Sequence, residues 1–143
     1  MEGEATVRNL MMAPLRILLA EDDLEMRRFL ATALRKDGYE VIEARTGAEL
    51  LDALTGQLLQ PIGRPPADLI ISDLRMPGFT GLEILSGLRR ENCFIPFILI
   101  TAFGGEEVRS EALGRGAAAV FDKPFEIEDL RMAVVKLIGN PRS

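Results

Sequence analysis

Five short runs recur along the chain, each closed by a polar or charged residue: Arg16–Ala20 (RILLA), Glu40–Ala44 (EVIEA), Asp68–Ser72 (DLIIS), Pro96–Ile100 (PFILI) and Ala118–Phe121 (AAVF). Runs this short suit strands that are largely buried and are too short for helices. Between them the apolar residues fall at threes and fours, the spacing of one helical face. Leu24–Lys36 carries Met26, Phe29, Leu30, Ala33 and Leu34 in this pattern, and Asp37-Gly38 closes it. Thr46–Leu59 carries Leu50, Leu51, Leu54 and Leu58; Leu82–Arg90 and Glu106–Leu113 follow; Ile127–Ile138 places Ile127, Leu130, Val134, Leu137 and Ile138 inward. Strict alternation of strand and helix predicts an α/β fold, a parallel sheet covered by helices on both faces, because parallel strands need right-handed crossovers. Gln60–Pro66 (QPIGRPP) reads as a tolerated proline-rich loop at the amino end of the third strand.

In such a sheet ligands bind outside the carboxyl ends of the strands, where strand order reverses. The residues following the runs are therefore the ones that carry chemistry. They are Glu21-Asp22-Asp23 after the first, Asp73 after the third, Thr101 after the fourth and Lys123-Pro124 after the fifth. The chain contains no histidine, which removes Ser-His-Asp and Cys-His catalysis, His-ligated metals and a phosphohistidine relay within the chain. Cys93 is the only cysteine, so neither an internal disulfide nor a thiolate cluster can form.

What remains is oxygen, an amine and a metal. A carboxylate cluster is a hard oxygen site, suited to magnesium, manganese or calcium, with magnesium first. Two like charges about 4 Å apart repel by roughly 4 kcal/mol at an effective dielectric near 20, so the cluster needs a cation to stay ionised. An acidic metal site beside a lysine and a hydroxyl reads as a phosphoryl pocket, in which metal and ammonium neutralise the oxygens while a carboxylate attacks.

At 143 residues, 48% hydrophobic and 27% charged, the chain is expected to fold as one domain. A net charge of -5 argues against an overall electrostatic grip on nucleic acid or anionic lipid. No segment reaches the roughly 18 apolar residues of a membrane span. Met1–Ala13 carries Glu2 and Glu4 without a long apolar run and reads as an extension, not a signal peptide. The expectation is a soluble, cytoplasmic domain with no membrane contact and no direct nucleic-acid binding.

Four motifs, in order and each at a strand end, make the resemblance specific: Ile17–Asp23 (ILLAEDD), Asp68–Gly81 (DLIISDLRMPGFTG), Ile98–Ala102 (ILITA) and Asp122–Phe125 (DKPF). Over Leu15–Ile138 the chain resembles a bacterial two-component response-regulator receiver domain. The resemblance implies a flavodoxin-like, doubly wound five-stranded parallel sheet in the order 2-1-3-4-5 with five helices. It divides the chain into an extension (1–14), a receiver domain (15–139) and a tail (140–143). Asp73 is implied as phosphoacceptor. Glu21, Asp22, Asp73 and the backbone carbonyl of Arg75 would hold magnesium, with manganese an alternative. Thr101 and Lys123 would each contact a phosphate oxygen, a cis peptide before Pro124 would direct the lysine, and small Ala102 would leave the phosphate path open. The phosphoryl donor would be a sensor histidine kinase, a phosphotransfer protein or a small phosphodonor. The output would be a downstream protein, or a second copy of the chain, bound at the face of the fourth helix, fifth strand and fifth helix. The domain would act as a switch that assists its own phosphorylation and dephosphorylation.

Asp23 is expected only to cap the first helix, and Phe103, Phe121 and Phe125 to pack. Receivers often carry an aromatic residue three positions before the lysine; here it is Val120, and Phe121 should face the opposite side of the strand. Three rivals are weaker. A haloacid-dehalogenase-like phosphatase needs an aspartate where Arg75 stands; a flavodoxin-like binder needs a phosphate loop where Glu21-Asp22-Asp23 would repel phosphate; a degenerate docking module would not keep the acceptor, acid pair, threonine and lysine.

Overall fold

The computed structural model describes residues 14–58, 65–102 and 104–141. The expectations for Met1–Ala13, most of Gln60–Pro66, Phe103, the Leu58 side chain and the last two residues lie outside them. The strands are β1 (Arg16–Ala20), β2 (Glu40–Ala44), β3 (Leu69–Asp73), β4 (Phe97–Thr101) and β5 (Ala119–Asp122). The helices are α1 (Leu24–Lys36), α2 (Gly47–Leu58), α3 (Gly81–Arg90), α4 (Glu106–Gly114) and α5 (Ile127–Ile138). All strand pairs are parallel and the order is β2-β1-β3-β4-β5, the doubly wound order expected.

Because side chains alternate along a strand, each central strand feeds two cores. Leu18, Ile70, Phe97, Leu99 and Val120 pack with Leu50 and Leu54 of α2, Ile84, Leu85 and Leu88 of α3, and Ala112 of α4. Ile17, Leu19, Leu69, Ile71, Ile98 and Ile100 pack with Leu30, Ala31 and Leu34 of α1 and with Leu130 and Val134 of α5. β3 and β4 are buried along their whole length. That explains why their sequences are continuous apolar runs and not alternating ones.

Two expectations are corrected. The stripe of α1 that faces the sheet is Arg27, Leu30, Ala31 and Leu34, and Phe29 is 56% exposed. Apolar residues occupy two adjoining stripes of this helix, and the sheet covers only one; the polar member of the covered stripe, Arg27, has partners there. The last three strands also sit one residue later than the apolar runs, so that Asp73, Thr101 and Asp122 are strand residues. Pairing continues past the apolar run because Leu74 N–H still donates to the Ile100 carbonyl at 2.7 Å.

Local signals set the helix ends. Asp23 accepts a hydrogen bond from Met26 N–H at the start of α1, as expected. Thr80 and Glu83 form a reciprocal capping box on α3. Gly38 after α1 has φ 101°, the left-handed conformation that glycine adopts freely. Gly81 answers a different need. A Cβ there would meet the Asp73 carbonyl oxygen at 2.6 Å and Leu99 Cδ1 at 2.8 Å. The first residue of α3 therefore lies directly against the backbone of Asp73. Gly81→Ala is expected to destabilise the fold by about 1–3 kcal/mol, the usual cost of overpacking. An unchanged urea midpoint for this variant would show that α3 can back away from β3.

Candidate functional site

The carboxyl end of β1 passes directly into the acidic triplet. Glu21 N–H extends the β1–β2 ladder by donating to the Ala44 carbonyl at 3.1 Å. Its carbonyl accepts from Arg27 Nη1 at 2.9 Å. The side chain is 1% exposed and turns toward β3. There Oε1 accepts from Lys123 Nζ at 2.5 Å and Oε2 accepts from Asp23 N–H at 3.3 Å. Asp22 is exposed. With Asp23 engaged in capping α1, Glu21 and Asp22 are the members of the triplet left for the strand edge.

Asp73 closes β3, two strand pairings from β2 and in the middle of the sheet. Its Oδ2 accepts from Lys123 Nζ at 3.1 Å and its Oδ1 from Arg75 N–H at 3.4 Å. Thr101 ends β4 and is 1% exposed. The register pairs Asp73 with Ile100 and Thr101 with Asp122. Thr101 therefore stands one step beyond the partner of Asp73 and one step before the level of Lys123. Lys123 N–H donates to the Thr101 carbonyl at 2.8 Å, and the Lys123–Pro124 peptide is cis. Glu21, Asp22, Asp73, Thr101 and Lys123 thus all lie at this edge, contributed by β1, β3, β4 and β5.

One ammonium thus lies between two carboxylates. Lys123 is drawn above the ordinary lysine value: burial opposes this, but the hydrogen bond and charge of Glu21, then those of Asp73, outweigh it. Glu21 is pushed up to about 7, first by burial, then by sharing a hydrogen bond with Asp73, with Lys123 pulling the other way. One oxygen each from Glu21, Asp22 and Asp73 lies within 4.8 Å of the others. This all-oxygen donor set of three carboxylates, only partly neutralised by the one ammonium of Lys123, fits a hard divalent cation.

The surroundings agree with the expected packing. Val120 and Phe121 enter opposite cores, and Phe121 meets Phe125 with ring centroids 5.6 Å apart. Asp122 is ion-paired to Arg109 of α4 at 3.0 Å. Arg27 is the site neighbour that sequence reasoning missed. Its signal was its place three and four residues before Leu30 and Ala31, inside the buried stripe.

The family model described as response regulator receiver domain matches residues 17–135. Sporulation initiation phosphotransferase F of Bacillus subtilis is 33% identical over 123 residues, covering 86% of this chain and 93% of that protein. The KDP operon transcriptional regulatory protein KdpE of Escherichia coli is 39% identical over 115 residues, covering 80% of this chain and 47% of that protein. The chain thus spans nearly all of the first relative and about half of the second. Among solved structures, the Francisella response regulator 1452 receiver domain superposes with a TM-score of 0.76 at 29% identity, covering 87% of this chain and 96% of that one.

The position of Glu21 gives the site a pH signature. Burial and Asp73 push its carboxyl up from the ordinary 4.5 to about 7, so folding favours the protonated form, whereas a divalent cation held by Glu21 would favour the carboxylate. Stability contributed by this group is present below 4.5 and is lost as pH rises toward 7. Magnesium should offset that loss. Its affinity should strengthen by up to about tenfold per pH unit below neutrality and level off above it. Calorimetric titrations of magnesium across this range should also show proton release on binding, and a pH-independent Kd would remove Glu21 from the binding step.

Proposed function

The chain belongs to the response regulator receiver family, and we propose that within its receiver domain Asp73 is the residue that takes up the phosphoryl group. Receiver domains are signalling switches of two-component systems; they receive phosphoryl groups from histidine kinases or phosphotransfer proteins and pass the signal to downstream partners. The observation that carries the assignment is the Lys123 ammonium held at 3.1 Å from Asp73 and 2.5 Å from Glu21. It puts a fixed cation beside a carboxylate that is otherwise 7% exposed in the middle of the sheet edge.

On this reading Asp73 attacks the phosphorus of the donor, a P–N bond of phosphohistidine or a P–O bond of an acyl phosphate breaks, and an O–P bond to Asp73 forms. Glu21, Asp22, Asp73 and the Arg75 backbone carbonyl would hold magnesium, or manganese in its place. The metal would neutralise oxygens of the transferring group. Lys123 pairs with a phosphoryl oxygen as its contact to Asp73 is given up, and the Thr101 hydroxyl donates to another. Lys123 and Thr101 are joined through the Lys123 N–H bond to the Thr101 carbonyl, so their rearrangement is shared with β4 and β5. A downstream protein, or a second copy of the chain, would read that change on the face of α4, β5 and α5. Water later hydrolyses the acyl phosphate, a step the same residues assist. Residues 15–139 are taken as the whole receiver unit, and a cytoplasmic setting suits the unpaired Cys93. Among the described residues no helix is long and apolar enough to cross a membrane.

Incubation with acetyl phosphate and magnesium is expected to add one phosphoryl mass to the intact chain. Asp73→Asn should abolish the adduct, chelation of the metal should prevent it, and Lys123→Gln should slow its formation by about a hundredfold or more, as for loss of one preorganised charge donor. An adduct that survives in Asp73→Asn would place the acceptor elsewhere.

A further inference from the structure

The buried stripe of α1 is apolar except for Arg27, which is 7% exposed. A guanidinium in such a place is strongly destabilising unless it is paired and hydrogen-bonded. Arg27 has two such partners. Nε donates to Glu43 Oε1 at 3.2 Å, and Nη1 donates to the Glu21 carbonyl at 2.9 Å. Glu43 is itself held by Arg35 Nη1 at 3.1 Å, and Arg35 Nη2 donates to the Val41 carbonyl at 2.8 Å. The guanidinium is thus clamped to the end of β2, with its free arm directed at the backbone of the acidic pair.

The atom it holds is decisive. The Glu21 carbonyl belongs to the planar peptide joining Glu21 to Asp22, so fixing that oxygen fixes the plane on which Asp22 begins. Glu21 N–H is already committed to Ala44 at 3.1 Å. Both backbone groups of Glu21 are therefore tied to the β2 side, while the side chain reaches the other way to Lys123. Without such a hold, repulsion among the carboxylates would swing exposed Asp22 away from Glu21 and Asp73. We propose that Arg27 is a positioning residue of the cation site: it locks the Glu21–Asp22 peptide so that Asp22 stays within reach of the other two carboxylates. The inference rests on the reading of Glu21, Asp22 and Asp73 as cation ligands.

The test is magnesium titration of the metal-free full chain by calorimetry, with urea midpoints measured beside it. Arg27→Lys retains a buried charge beside Glu43 but cannot span both partners; Arg27→Met removes the charge and keeps much of the volume. Both should weaken magnesium binding by about tenfold or more, the usual effect of losing an outer partner of a metal ligand. Arg35→Ala loosens the same helix–strand network without touching Glu21. It should lower the urea midpoint yet keep the Kd within about twofold, an effect expected of groups outside that outer shell. Wild-type affinity in Arg27→Lys, or equal weakening in Arg35→Ala, would overturn the role of Arg27. Absence of magnesium binding by the wild-type chain would instead overturn the cation reading itself, and this inference with it. If Arg27→Met does not fold, Arg27→Lys decides.

Discussion

Two carboxylates from neighbouring strands face each other at the sheet edge, and the ammonium of Lys123 is what lets them do so. Glu21 and Asp73 are almost wholly withdrawn from water, where like charges a few ångström apart repel strongly. Lys123 joins them from a position 102 residues away from Glu21 and 50 from Asp73. The contact therefore depends on a fixed stagger: by the registers, β3 ends one residue and β5 two residues beyond the level at which β1 ends. Misplacing any of these strands by one residue would leave a carboxylate buried against its neighbour with no cation between them. Site and fold are in this sense one constraint: the sheet aligns the charges, and the charges penalise other alignments.

Much of this was legible in the sequence for a simple reason. A parallel sheet with crossovers puts all strand ends that carry function on one side. Reading the residues that follow the apolar runs therefore brought out Glu21, Asp73, Thr101 and Lys123 without any knowledge of strand order. The same rule misjudged the strand ends, because apolar composition reports burial and the ladder reports backbone pairing. Asp73 and Thr101 are buried, polar and still paired. Helix periodicity failed at Phe29 for a related reason. In α1 the apolar pattern is wider than the surface available to receive it, and an arginine holds a place in the buried stripe because its partners lie on β2 and on the end of β1. No local pattern predicts partners 6 and 16 residues away in the chain.

The surroundings of the acidic triplet also divide labour among residues that look alike in the sequence. Asp23 gives its side chain to the first turn of α1, and its own N–H touches the Glu21 carboxylate. Glu21 gives both backbone groups to the β2 side and its side chain to the centre. Asp22 and Asp23 are both exposed, but only Asp23 spends its side chain on the helix cap. Three consecutive acids thus differ as a cap, a buried anchor and an exposed carboxylate, the last of which the proposed function would use as a cation ligand. The assignment depends on backbone direction and not on intrinsic acidity.

The strand order gives the site an unequal mechanical footing. Glu21 and Asp73 are rooted in β1 and β3, each flanked on both sides, whereas Lys123 follows β5, which has a neighbour only in β4. Beside β5 stands α4, of whose residues only Ala112 is fully buried. A load applied where these charges meet would be shared unequally: the interior strands act as the anvil, and the rim formed by β5 and α4 is the part with room to give. On the proposed function, this asymmetry of support would direct displacement toward the rim, even with Val120 in place of a bulky aromatic ring.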